Sequence, residues 1–218
     1  MKKYLIAIIC TVLLFSLCGC TKSTDYYRFV SQERRDILRG ENENYSVDCF
    51  LEMREKPFKP DGKKQETAYA VIIKLTVKSG ENGILSGAKV TFSTDKDYSA
   101  LFSFHRESDN YVAVSYVSLL PEKSLSVTLE ANGQKETIQL DSILGDFEFK
   151  PREALETALS KSNDKYAAAK SGNLEINIRL ICGDAIFYYV GLVTEDKTDA
   201  FLISADGKKI VSEKTISN

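Results

Sequence analysis

A mainly β chain that ends in an α+β unit is the fold class this sequence predicts, and three observations carry the expectation. From Tyr45 onward apolar and polar residues alternate with a period of two for about a hundred residues. Dipeptides that favour tight turns, Asp61-Gly62, Asn82-Gly83 and Asn132-Gly133, punctuate that stretch. After Pro151 the apolar period lengthens to that of a helix, and alternating segments then close the chain. Of the 218 residues 43% are hydrophobic and 28% charged, a globular balance that excludes wholesale disorder.

The chain opens with Lys2 and Lys3, then an almost wholly apolar run from Leu5 to Leu17. A bilayer-spanning helix needs about 20 apolar residues, so this shorter run reads as the core of a signal peptide over residues 1–19. Leu17-Cys18-Gly19-Cys20 follows, with Leu three residues before Cys20 and Gly directly before it. These residues resemble the lipobox of bacterial lipoproteins, from which Cys18, where Ala or Ser is usual, is the one departure. The resemblance implies cleavage before Cys20, a diacylglyceryl group on its sulfur, palmitate-type acylation, and residence on the outer face of the cell membrane. Two acyl chains hold a protein stably where one does so only marginally.

Residues 20–43 then form a short tether and a short helix. Thr24 can cap a helix over Thr24–Arg39, Tyr26, Tyr27, Val30, Ile37 and Leu38 fall near one side of it, and Gly40 can end it. A β-sandwich is expected over 44–142. Val47, Cys49, Leu51 and Met53 share one face of its first strand, and Tyr69, Val71, Ile73, Leu75 and Val77 one face of the next. Ala88–Ser93, Ala100–Phe104, Tyr111–Leu119, Leu125–Ala131 and Thr137–Leu140 supply the others. One apolar and one polar face per strand suit an antiparallel, immunoglobulin-like sandwich, although the chain has no Trp and the likeness is architectural only.

The α+β unit is expected over 146–218. Pro151 suits a first helical turn, and Ala154, Leu155, Ala158, Leu159, Ser162, Tyr166 and Ala169 make a stripe. Glu153 and Glu156 near its start, with Lys165 and Lys170 near its end, complement the helix dipole. Strands over Leu174–Cys182, Ile186–Thr194, Ala200–Ala205 and Lys209–Glu213 follow. The segment from Phe187 to Val190 and from Phe201 through Asp206-Gly207 to Val211 is similar to the end of PepSY-type domains. That resemblance implies a regulator or inhibitor of an envelope enzyme, the alternative to the reading below.

Motifs for cofactors are missing: there is no Gly-rich nucleotide loop, no Walker A loop, no HExxH and no GxSxG. His105 is the single histidine, which excludes a multi-His metal site within one chain. Ser86-x-x-Lys89 and Ser93-x-x-Lys96 carry the spelling of penicillin-recognising enzymes, but a strand sends those two side chains to opposite faces. Cys49 and Cys182 sit on apolar faces as small hydrophobes, and a disulfide between them would have to join the two units. Asp95/Asp97, Glu107/Asp109 and Glu195/Asp196/Asp199 are too few in oxygens for a calcium loop.

Without Lys2 and Lys3 the 29 basic residues become 27 against 31 acidic ones, a net of −4, so nucleic acid is not expected as a partner. Against that balance, Arg54 to Lys64 concentrates positive charge. Arg54, Lys56, Lys59, Lys63 and Lys64 surround Phe58, which rides between Pro57 and Pro60. Such a loop suits an anionic surface, either lipid headgroups or a polyanionic wall polymer. The absence of Trp weighs against a carbohydrate platform, although 11 Tyr and 11 Phe remain for one. The expected role is therefore a lipid-anchored, non-enzymatic binding or interaction module of the bacterial cell envelope. It needs no cofactor or metal, and its partners are the membrane and an envelope protein or wall polymer.

Overall fold

The structure is a computed structural model and describes residues 24–57, 59, 61–78, 85, 87–145, 147–162, 169–206 and 208–218. Its strands are β1 (Val30–Glu41), β2 (Tyr45–Glu55), β3 (Thr67–Val77), β4 (Lys89–Ser93), β5 (Asp97–Leu101), β6 (Ser103–His105), β7 (Asn110–Val117), β8 (Ser124–Ala131) and β9 (Gln134–Ser142). Helix α1 (Pro151–Leu159) follows, then β10 (Glu175–Cys182), β11 (Ile186–Val193), β12 (Lys197–Ser204) and β13 (Lys209–Ser217). The fold is thus mainly antiparallel β with a C-terminal helix and meander, as the periodicity predicts. Asn82-Gly83, Ser86, Tyr166 and Gly207 lie outside the described residues.

The N-terminal helix is the main correction. Only Tyr26–Phe29 turn helically, as a 3-10 turn whose first N–H groups include that of Tyr27 bonded to the Asp25 carboxylate. Residues 30–41 are strand β1 instead. The period misleads because β1 carries a bulge between Arg34 and Asp36, where two-residue alternation slips. Its polar stretch Ser31-Gln32-Glu33 is also buried by neighbouring strands and not solvated. Tertiary pairing thereby overrides a weak local preference.

Strand β1 pairs along one edge with β2, from Gln32↔Arg54 to Glu41↔Ser46. Its other edge is divided. The first half, Val30–Glu33, pairs in parallel with β10, and the second half, Leu38 and Arg39, pairs antiparallel with β9. Two layers therefore diverge from one strand. One layer runs β13-β12-β11-β10-β1-β2-β3-β7-β6, and the other runs β9-β8-β4-β5. Asp36 secures the point of divergence: its carboxylate accepts from the Ile37 N–H at 2.7 Å and the Ser142 hydroxyl at 2.9 Å.

Two apolar cores result. In the first, Val47, Cys49 and Leu51 of β2 and Val71, Ile73 and Leu75 of β3 face Val90, Phe92, Val127, Leu129, Ile138 and Leu140 of the second layer. In the other, Ile176, Ile178 and Leu180 of β10 and Tyr188 and Val190 of β11 face Ala154, Leu155 and Ala158 of α1. The small alanines let the helix lie close, and Tyr188 donates its hydroxyl to the Phe149 carbonyl at 3.1 Å just before α1 begins. Strand β1 supplies both cores, with Leu38 in the first and Val30 and Ile37 in the second.

Two outcomes follow from this sharing. A Cβ at Gly40 would lie 2.1 Å from the Gln139 carbonyl oxygen and 2.8 Å from a Leu140 methyl, where β9 crosses β1. Gly40→Ala is expected to cost about 1–3 kcal/mol in urea unfolding. A fragment of residues 146–218 loses the β1 pairing and Phe29, Val30 and Ile37 from its core, so it should show no cooperative thermal transition. A cooperative one would mean that α1–β13 folds alone.

Candidate functional site

Strand alternation sends Phe50, Glu52 and Arg54 of β2 to the sheet face opposite Cys49 and Leu51. There they meet Gln32 and Arg34 of β1 and Arg179 of β10. Glu52 is fully buried, at 0% exposure, and holds the group together. It accepts from the Gln32 amide at 2.8 Å, from Arg34 Nε at 2.7 Å and from a second Arg34 nitrogen at 2.6 Å, and an Arg54 nitrogen lies 3.8 Å away. Gln32 in turn accepts from Arg179 Nε at 2.6 Å. The Arg34 and Arg54 side chains keep 19% and 17% of their surface exposed.

Among the described residues, this group sets three guanidiniums against one carboxylate. Aromatic rings back two of them: Arg34 lies 4.2 Å above the centre of the Phe50 ring and Arg179 5.7 Å above that of Tyr189. Burial pushes the Arg179 guanidinium below its ordinary range, and the charges of Arg34 and Arg54 add to that push. Across the sheet, Glu52 is in register with Ala70 and Ala70 with Tyr116, whose ring lies 4.6 Å beneath Lys56 Nζ. The cationic row therefore extends from β10 to β7.

Five of the six residues singled out in the basic segment divide between two places. Arg54 and Lys56 belong to this sheet face, whereas Lys59, Lys63 and Lys64 belong to the loop beyond it. Phe58, like Cys20, lies outside the described residues. The loop is pinned. The Gly62 N–H donates to the buried Glu175 carboxylate at 3.1 Å, and the Ser31 hydroxyl donates to the other oxygen of Glu175 at 2.6 Å. Gly62 has φ of +80°, and a Cβ there would stand 2.9 Å from the Thr194 carbonyl carbon. Lys64 Nζ donates to the Arg28 carbonyl at 2.8 Å, so the loop lies against the segment that leads into β1.

The remaining candidates are scattered. His105 is exposed on β6. The Ser93 hydroxyl bonds Asp97 at 2.5 Å, while Lys96 lies over the Tyr98 ring. Cys49 and Cys182 are free thiols; Cys49 is fully buried, and burial raises its thiol far above its ordinary range. Cys182 is only partly buried. Among the described residues no group of three His, Cys, Asp or Glu could hold a metal ion, and no helix is long and apolar enough to cross a membrane. Sequence reasoning missed the part of the site that comes from β1 and β10. Gln32 and Arg34 sat in an expected helix, and Arg179 is 125 residues from Arg54, so no spacing could join them.

Removing the charge of Glu52 strands partly buried guanidiniums. Glu52→Gln is expected to cost about 3 kcal/mol in urea unfolding, and adding Arg34→Met to it should cost less than the sum of the two single changes. Glu55, at the end of β2, tests the opposite case. It is buried and accepts from the Gln65 N–H, and burial lifts its carboxyl above the usual carboxylate range, with the charge of Glu175 adding to the rise. A raised acid in the folded state costs stability once ionised, and the cost fades as pH falls through its folded pKa toward the unfolded value of about 4.3. Glu55→Gln should therefore be more stable than the wild type at pH 7–8, with a gain that shrinks on titration toward pH 4.

When the chain is compared with protein families, with curated proteins and with solved structures, it matches none of them.

Proposed function

We propose that this chain is a lipid-anchored, extracytoplasmic binding module of the bacterial cell envelope, non-enzymatic, which rests its basic loop on anionic headgroups. The observation that carries this reading is the contact between Lys64 and the Arg28 carbonyl. It brings the basic loop to the end of the fold where the chain arrives from Cys20. Thr24, the first described residue, lies four positions along the chain from Cys20, and four residues reach at most about 14 Å in any conformation. An acylated Cys20 would thus hold this end of β1 close to the bilayer, where exposed Lys59 and Lys63 meet the headgroups. Each such cation near an anionic leaflet contributes about 1 kcal/mol, on top of the two acyl chains.

The two parts of the reading are separable by experiment. Mass spectrometry of the mature N-terminal peptide is expected to find a diacylglyceryl group on Cys20, and Cys20→Ala should move the protein out of the membrane fraction. Unchanged membrane residence of that variant would remove the anchor from the reading. In the full chain carrying Cys20→Ala, Lys59→Glu with Lys63→Glu should weaken flotation with phosphatidylglycerol vesicles about tenfold or more at low salt. Equal flotation would remove the loop from it.

A further inference from the structure

Strand pairing brings a second, distant loop to the end of the fold where the chain enters. The register from Gln32↔Arg54 through Glu55↔Thr67 to Tyr69↔Val117 aligns the start of β1 with the end of β2, the start of β3 and the end of β7. The loop over 118–123, which leaves β7, therefore emerges at the same end as the 56–66 loop and the tether. Three strand spacings of about 4.8 Å place it roughly 15 Å to one side of β1. Within it Leu119 is 58% exposed. Fraying does not account for this, because the loop is fixed on both sides. The Ser118 N–H donates to the Tyr98 hydroxyl at 3.0 Å, the Lys123 carbonyl accepts from the Ser142 N–H at 2.8 Å, and Leu120 packs against the first core. Leu119, Leu120 and Pro121 also wall an open hollow of about 320 Å³ together with Leu51, Tyr69 and Arg35, so the exposed leucine belongs to a contiguous patch and is not a scattered side chain. Asp95 with Lys96, beside Tyr98, and Glu122 with Lys123 balance in charge around it. What this loop offers a bilayer is thus apolar surface, in contrast to the lysines of the 56–66 loop.

We propose that the 118–123 loop inserts Leu119 into the bilayer interface, as an apolar foot beside the cationic 56–66 loop. The choice of a bilayer as occupant rests on the anchored reading above, because a tether of four residues is what puts lipid at this end of β1. Apolar faces that lie in the interface sink about 5–10 Å into the boundary between headgroups and acyl chains, a depth within reach of one leucine on a projecting loop. A tether alone leaves the fold free to swing. A lysine contact on one side and an apolar contact about three strands away together fix its tilt on the membrane.

The chain has no Trp, so a Trp introduced at one position reports on that position alone. The test uses protein purified from the membrane fraction and reconstituted into vesicles of phosphatidylglycerol and phosphatidylcholine whose acyl chains carry bromine, with unbrominated vesicles in parallel. In Leu119→Trp the emission is expected to shift to shorter wavelength, and the bromines should quench it about twofold. Leu101→Trp is the control. Leu101 is 68% exposed, but its pairing with Lys89, and that of Lys89 with Glu130, place it at the opposite end. Its emission should be the same in both kinds of vesicle. Both side chains are exposed, so both variants should keep the thermal transition of the wild type. No quenching in Leu119→Trp, or equal quenching in Leu101→Trp, would overturn the proposal. Shielding of the Leu119→Trp fluorophore from acrylamide without quenching by bromine would mean that a second copy of the chain covers the patch, and would overturn it too. The bromine arm reads insertion whatever holds the protein to the vesicle, so the anchor fails separately, on an N-terminal peptide without acyl groups. The headgroup contact fails separately as well, on undiminished flotation of Lys59→Glu with Lys63→Glu.

Discussion

The divided edge of β1 is the constraint on which the rest of this structure depends. A strand has two hydrogen-bonding edges, and a buried one must be satisfied along its length. Here β10 takes the first half of one edge and β9 the second half, while β2 takes the whole of the other. A single flat sheet cannot accommodate both β9 and β10 on the same edge. The layers must diverge, and the bulge between Arg34 and Asp36 supplies the local twist that lets them. Gly40 serves the same geometry, because the approach of β9 leaves no room for a Cβ.

Centrality explains the unusual composition of β1. Ser31, Gln32 and Glu33 are all buried, although nothing in their chemistry favours it. Their burial is tolerated because partners converge from three strands: Glu52 from β2, Arg179 and Asn177 from β10, and Arg35 beside Glu33. A polar network of this kind adds little net stability over apolar packing, but it rejects wrong registers, since a shift of one residue would leave charges unpaired. The parallel β1–β10 pair, whose partners lie about 145 residues apart, has the most need of such a check.

Positive charge is concentrated in two places, the loop after β2 and the sheet face around Glu52. Lysines, compact and strongly hydrated, populate the loop after β2, where Lys64 reaches the Arg28 carbonyl. Arginines populate the sheet, where carboxylate, amide and aromatic neighbours hold each fork at a defined angle. The net acidity of the chain hides both, because solvated acids elsewhere outnumber them.

The sequence by itself determined nearly every strand from β2 to β13 and the start of the helix at Pro151, because a two-sided strand and a one-sided helix write their burial into the residue period. It also marked the 54–64 segment by its charge. It could not determine β1, whose bulge scrambles the period and whose burial depends on strands far along the chain. Nor could it place Arg34 and Arg179 beside Arg54, since that neighbourhood comes from strand order, and strand order is decided by which edges pair. The tertiary structure alone decided that Lys56 leaves the basic loop for the sheet face and that Lys64 closes on Arg28. Side-chain direction at a strand end follows the register of the strand, and a loop's resting place follows the buried acceptor, here Glu175, that satisfies its backbone.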